Sequence, residues 1–269
     1  MMIRPSDTQV FARAFVDRYG EDCIDRIGTF APALGLVIKE VDAEEFEGAL
    51  LRMKDCFQGT LLLGRGIVDE GRRRFTLAHE LGHYVLPGHG KDEGYCRGKK
   101  LDSWGKTLSR FEREANEFAG EVLMPMPRIQ DLLGEEPSYE IASDISRRCA
   151  SSLSASAYRL AELTTHRFCV VWSEGSIVRW SKNSAEFDFR VRYDDCDTET
   201  FACRCFDKQP VPDNYDIVPA SAWLYGDNLK EGATILEHSR YLPSYDAVIT
   251  FLLVPDIIEV QSKFGDLWE

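Results

Sequence analysis

Residues His79-Glu80-Leu81-Gly82-His83 place two imidazoles and a carboxylate in an H-E-x-x-H pattern. Four residues are about one helical turn, so on a helix both rings leave the same face and reach one zinc ion at about 2.0–2.1 Å. Glu80 is not a ligand in this scheme. It stands beside the ion, where it takes a proton from water made acidic by the metal and hands it to a leaving amine. The bland alternative is a core helix with two histidines and an incidental glutamate between them, and a third ligand separates the two readings.

Five histidines exist in the chain, so few imidazoles compete for that role. His89 follows His83 by six residues, the spacing of the longer H-E-x-x-H-x-x-G-x-x-H pattern, but Leu86 occupies the glycine position that lets the chain fold back over the metal. A loop histidine is the better reading of His89. His166 and His238 are distant in sequence and receive no role, and Tyr84 points about 100° away from His83 on a helix. The second candidate is Glu112, in Phe111-Glu112-Arg113-Glu114-Ala115-Asn116-Glu117-Phe118-Ala119. Phe111, Ala115, Phe118 and Val122 recur at helical spacing as a buried stripe, while Glu114, Glu117 and Glu121 read as a solvated acidic face. Glu112 lies off that face, with Asn116 one turn later on the same edge. It can turn inward to a cation while Asn116 supports one imidazole by a hydrogen bond. Ala115 and Ala119 let this helix come close to the helix of His79.

The elements that carry these residues read as helices over 72–86 and 108–123, separated by a stretch with Gly88, Gly90, Gly94 and Gly98 and closed by Pro125 and Pro127. Ahead of them come an amphipathic helix marked by Val10, Phe11, Ala14 and Phe15, and short strands at 36–38, 49–53 and 60–63, the last two a hairpin across 54–59. Helices over 141–150 and 153–163 follow. From residue 167 the period changes to two: Phe168–Trp172 and 177–180 flank a turn, Phe187, Phe189, Val191 and Tyr193 alternate with polar residues, and 247–254 is apolar and β-rich. The expectation is an α+β protein with a first domain over 1–165, a small sheet beside helices, and a β-rich domain over 166–269.

Composition narrows the classes. Asp and Glu total 45 against 32 Lys and Arg, a net charge of −13 that disfavours direct contact with a nucleic-acid backbone. No apolar run reaches the roughly 18 residues of a membrane span, and the N-terminus lacks a secretory progression, so no membrane and a cytoplasmic location are expected. Eight cysteines are scattered as in a reducing compartment, and Cys196, Cys203 and Cys205 lack the paired spacing of a zinc knuckle, so strand and loop thiols are expected there.

Arg74-Phe75-Thr76-Leu77-Ala78-His79-Glu80-Leu81-Gly82-His83, then Glu112 through Ala119, then Val122-Leu123-Met124-Pro125, together resemble the ImmA/IrrE family of zinc metallopeptidases over roughly residues 30–165. The resemblance implies a zincin-like domain, Zn2+ on His79, His83 and Glu112, Glu80 as general base, and a protein substrate, a DNA-binding transcriptional repressor of a stress or mobile-element regulon. The β-rich tail matches no signature and is expected to sense a signal or recognise substrate. Two rivals stand beside this reading. One is a non-catalytic regulatory module with a structural metal and a ligand- or partner-binding tail. The other is a DNA-binding helix-turn-helix over 141–163, whose second helix carries the single basic residue Arg159.

Overall fold

Short apolar runs in the first half of the chain make strands only long enough to shelve one helix. The computed structural model describes residues 6–52, 58–89, 96–97, 109–226 and 229–255. Helix α1 (Asp7–Tyr19) is opened by Ser6, whose hydroxyl accepts from the Gln9 backbone N–H while the Gln9 side chain accepts from the Ser6 N–H. After α2 (Ile27–Phe30), strands β1 (Leu36–Val41), β2 (Gly48–Arg52) and β3 (Gly59–Gly64) precede the long helix α3 (Glu70–Val85). Then come β4 (Cys96–Arg97), α4 (Arg110–Leu123), α5 (Met126–Ile129), α6 (Tyr139–Cys149) and α7 (Leu153–Leu163). The first sheet has the order β1-β3-β2-β4, with β1 parallel to β3 and the other pairs antiparallel. The expected hairpin is thus the β2–β3 pair, although 53–57 of its turn lies outside the described residues, as does most of the glycine-rich stretch after Gly88.

The remaining elements are β5 (Phe168–Glu174), β6 (Ile177–Asn183), β7 (Arg190–Val191), α8 (Phe201–Phe206), β8 (Asp216–Pro219), β9 (Leu224–Tyr225), β10 (Thr234–Leu242) and β11 (Ala247–Leu253). They build an antiparallel sheet of order β6-β5-β11-β10-β8 and a two-stranded pair β7-β9. Gly175 and Ser176 both have positive φ, 55° and 64°, the conformation that closes a two-residue hairpin between right-twisted strands such as β5 and β6. One face of the larger sheet carries a core that includes Val171, Phe187, Phe201, Trp223 and Leu252.

By contact density the chain divides into two compact units, Met1–Leu132 with Ser143–Arg159, and Leu133–Ala142 with Leu160–Glu269. This division is finer than the expected break at 165/166, because Leu133–Ala142 and Leu160–Leu163 fall in the second unit. Mixed α and β structure holds for the chain, with the larger sheet in the second unit.

Three expectations need correction. The buried face of α1 is Thr8, Ala12, Phe15 and Val16, while Val10 is exposed, so the stripe is rotated from the one that apolar spacing suggested. The alternating run at 187–193 forms a strand only at β7; the Asn183 side chain donates to the Phe187 and Phe189 carbonyls at 3.3 and 2.9 Å, taking acceptors that a ladder would use. Cys203 and Cys205 sit in helix α8, not in a strand or loop.

Candidate metal centre

Helix α3 starts at Asp69, whose carboxylate accepts from the Arg72 N–H at 2.6 Å. The buried Arg74 then ties the helix down: its guanidinium donates to both oxygens of Asp25 at 2.8 and 2.9 Å and to the Cys149 and Ala150 carbonyls at 2.6 Å each. Those carbonyls lie at the end of α6, which a cation satisfies well. Arg74 thus anchors one side of α3, and the buried residues of the helix include Phe75, Ala78, His79, Gly82 and His83.

Helix α4 crosses it where both backbones are bare. A Cβ added to Gly82 would come 3.1 Å from the Phe118 ring and 3.3 Å from Ala115 Cα, so a side chain at 82 would require its α4 neighbours to give way slightly. Ala115 and Ala119 are fully buried, as the small-residue spacing predicted. Ser109 caps α4 by accepting from the Glu112 N–H at 3.2 Å. The sequence Ser-x-x-Glu has the form of a capping box. Only the serine half is made here, because the Glu112 carboxylate turns to the imidazoles instead.

The result is a tight meeting of donors. Glu112 Oε2 is 3.2 Å from His79 Nε2, Glu112 Oε1 is 3.5 Å from His83 Nε2, and the two Nε2 atoms are 3.1 Å apart. One ligand atom from each of the three lies within 4.8 Å of the others, and among the described residues no other cluster of His, Cys, Asp and Glu does this. His79 Nδ1 is 2.8 Å from Asn116 Oδ1, so the ring donates there and keeps the Nε2 lone pair turned inward. His83 Nδ1 faces His89 Nδ1 at 3.0 Å.

Electrostatics follow the crowding. Glu112 is held far below the usual carboxylate range by hydrogen bonds to His79 and then His83, against its own burial. Burial opposes a charge on His79, but hydrogen bonding to Glu112 and the Glu80 charge outweigh it and raise the ring above the ordinary value. Burial pushes Glu80 up, with the His79 and His83 rings and the Leu50 backbone N–H pulling it down. Glu80 is 2% exposed, and its Oε2 has no hydrogen-bond partner among the described residues. One more residue keeps it there: a Cβ on Gly48, at the start of β2, would fall 2.5 Å from Thr76 Cγ2 and 2.9 Å from Glu80 Cγ. Nothing in the sequence around Gly48 signals this.

The donor set fits a divalent cation. Two imidazoles and a carboxylate meet head-on across about 3 Å, with a buried carboxylate oxygen on the residue next to His79 that is unsatisfied among the described residues. Mutually facing lone pairs call for a positive charge between them, from a metal or a proton.

Elsewhere the expectations fare unevenly. Glu121 is not on a solvated face: it is fully buried, paired to Arg159 and to Arg13 Nε at 2.8 Å. Glu114 accepts from His89 at 2.9 Å and from Arg110 at 2.6 Å. Helix α4 has neighbours on several sides, so few of its positions reach water. Phe111, placed in the buried stripe, is 41% exposed, and its ring edge meets His89. Tyr84 donates to the Leu34 carbonyl, away from the donors. His166 contacts Thr164, and His238 is ringed by Tyr139, Tyr215 and Phe251 in the second unit. Among the described residues Cys196, Cys203 and Cys205 do not converge as ligands, and burial pushes the thiols of Cys196 and Cys205 up to about 11. They are poor metal donors in that state. No helix among the described residues is long and apolar enough to cross a membrane.

Comparison with known proteins bears on the first unit. The Peptidase M78 family, IrrE N-terminal-like domain, matches residues 31–161. Over 99 residues the chain is 33% identical to the radiation response metalloprotease IrrE of Deinococcus radiodurans, a match covering 35% of this chain and 28% of that protein. In fold, a Mycobacterium tuberculosis transcriptional regulator is similar over 98% of this chain and 93% of its own, with a TM-score of 0.59 and 12% identity. At that identity the likeness concerns the fold alone.

Proposed function

The chain belongs, through residues 31–161, to the ImmA/IrrE family of metallopeptidases, and from that premise we propose that it is a zinc-dependent endopeptidase acting on a protein substrate. The observation that carries this reading is the convergence of His79, His83 and Glu112 beside a buried Glu80 whose Oε2 is unpartnered among the described residues. His79, His83 and Glu112 would hold Zn2+ in a zincin-like arrangement that leaves a fourth position open. Bound there, the ion supplies Lewis acidity to a scissile carbonyl and to water.

The chain's own residues do the rest. Glu80 takes the proton of the attacking water and delivers it to the leaving nitrogen, and burial raises its carboxyl toward the range where both transfers are practical. Gly48 and the β2 backbone hold that carboxylate against α3. Asn116 accepts from His79 Nδ1 and so orients the other ring nitrogen toward a metal.

The substrate class follows from family resemblance: a DNA-binding repressor, whose basic surface suits a chain of net charge −13. A cytoplasmic location goes with that substrate. The second unit, with its own core, is a candidate sensor or recognition module. A purely structural metal is disfavoured, because structural zinc takes four protein ligands and three converge among the described residues. Direct DNA binding through α6 and α7 is disfavoured too: Arg159, the basic residue of the second helix, is buried on Glu121.

The test is metal analysis of the purified chain, together with incubation of wild type and Glu80→Gln against the products of neighbouring genes. About one zinc per chain, with cleavage by wild type and none by the variant, is expected. Equal cleavage by both removes Glu80 from the mechanism.

A further inference from the structure

His89 is the residue whose position the motif leaves unexplained. Its side chain is fully buried, and both ring nitrogens are used. Pro87 and Gly88 form the turn that brings it back: Gly88 takes φ of 89°, a left-handed value suited to glycine, and the His89 N–H reaches the Leu86 carbonyl at 3.4 Å. The ring then lies with Nδ1 3.0 Å from His83 Nδ1 and Nε2 2.9 Å from Glu114 Oε2. Glu114 Oε1 in turn accepts from Arg110 Nε at 2.6 Å.

This sequence of contacts has one direction compatible with a metal. Two ring nitrogens 3.0 Å apart bond only if one donates and the other accepts. His83 Nε2 faces His79 and Glu112, where a cation needs a lone pair, so the ring proton belongs on Nδ1. His89 Nδ1 therefore accepts, and its own proton is forced onto Nε2, where the Glu114 carboxylate receives it. Arg110 holds that carboxylate as an anion. Reversing the first link would put a proton on the nitrogen of His83 that faces the donors.

Resting on the metallopeptidase reading, we propose that His89 is a positioning residue, and that the chain His89–Glu114–Arg110 sets the tautomer and orientation of His83 for metal binding. It does for His83 what Asn116 does for His79, through a longer path that ends at the surface. His89 is not a ligand itself: its nitrogens are committed, and it lies outside the converging group.

The test uses the full chain, stripped of metal and titrated with Zn(II) against a chromophoric chelator, and separately with Co(II) followed by visible absorption. His89→Phe keeps a ring beside Phe111 and removes both nitrogens. It is expected to weaken zinc binding about 10–100-fold and to shift the cobalt spectrum. His89→Asn, whose amide oxygen falls near the place of Nδ1, is expected to recover most of that affinity. Glu114→Gln should lie between His89→Phe and wild type. Wild-type affinity in His89→Phe, or a loss in His89→Asn as large as in His89→Phe, overturns the proposal, the second result assigning the effect to packing. If His89→Phe fails to fold, judged by circular dichroism of the metal-free chain, Glu114→Gln decides: weaker zinc binding supports the proposal and unchanged binding overturns it. A wild-type chain that takes up neither metal overturns the metallopeptidase reading and this inference with it, an outcome distinct from the others.

Discussion

Glu80 in the first compact unit and Glu237 in the second are both buried almost completely, at 2% and 0% exposure, and in both burial pushes the carboxyl above its ordinary value. Their surroundings differ. Glu237 accepts from the Trp223 indole N–H at 2.7 Å, the Ala202 backbone N–H at 2.8 Å and the Ser239 hydroxyl at 2.7 Å. Trp223 lies in the core of that unit, so the carboxylate joins α8, β10 and the residues before β9. Glu80 has one oxygen with no hydrogen-bond partner among the described residues, and it faces two imidazoles and a second carboxylate through space. A buried anion saturated with donors acts as a structural pin. One with an oxygen left unpaired has its burial only partly offset by the two imidazoles and the Leu50 N–H, and its desolvation favours the protonated form.

That contrast can be broken at either end. The largest effect is expected from Glu80→Gln, which should lower hydrolysis about 10²–10⁴-fold while the unfolding midpoint holds or rises. A variant that loses stability but keeps its rate would make Glu80 the structural residue of the two. Glu237→Leu should do the reverse. It strands the Trp223 and Ala202 donors and should lower the stability of the second unit by about 3 kcal/mol, read by tryptophan fluorescence in a denaturant series, with zinc uptake unchanged. Gly48→Ala sharpens the comparison from outside the motif. Its Cβ collides with Thr76 and Glu80, so a cost of about 1–3 kcal/mol in the first unit is expected, together with slower hydrolysis, because the group displaced is Glu80 itself. A Gly48→Ala chain with wild-type rate and stability would show that the contact relaxes freely.

The smallest effect is pH dependence. In the metal-free site His79 binds its proton more tightly than usual, with Glu112 and Glu80 overcoming burial, so a metal must displace it. Zinc affinity should therefore rise with pH by up to about tenfold per unit, then level off above the raised value of His79. Metal-free stability runs the other way. The share due to His79 is full below the unfolded value of about 6.5 and is lost as pH rises through the folded one. The share due to Glu112, whose folded value is depressed, is present above about 4.3 and is lost in acid. A metal-free chain whose thermal midpoint does not fall as pH rises above about 6.5 would contradict the His79 share, and one that keeps its midpoint in strong acid would contradict the Glu112 share.

Local spacing was enough to read much of the first unit. His79 and His83 share a face because a helical turn is close to four residues, and Glu112 and Asn116 share an edge of α4 for the same reason. Strands β1 to β3 and helices α3, α4, α6 and α7 all fall within a few residues of where their periodicity put them. What failed was the reading of exposure. Glu121 has the spacing of a solvated glutamate, yet it is buried because Arg13 and Arg159, 108 and 38 residues away, bring their charges to it. Phe189 has the alternation of a strand, yet the Asn183 amide takes its carbonyl. Periodicity records which residues share a side of an element and is silent about what that side meets.

The same division holds at the centre. Residue types and their spacing determined by themselves that two imidazoles and a neighbouring glutamate lie together on one helix, with Glu112 a candidate to join them from a second. Only tertiary structure decided that Gly48 and Gly82 are the bare places where a strand and a second helix close on α3, and that His89 returns through a left-handed glycine to brace His83. Those facts depend on contacts between segments far apart in the chain, or on a turn whose backbone angle no side-chain pattern encodes.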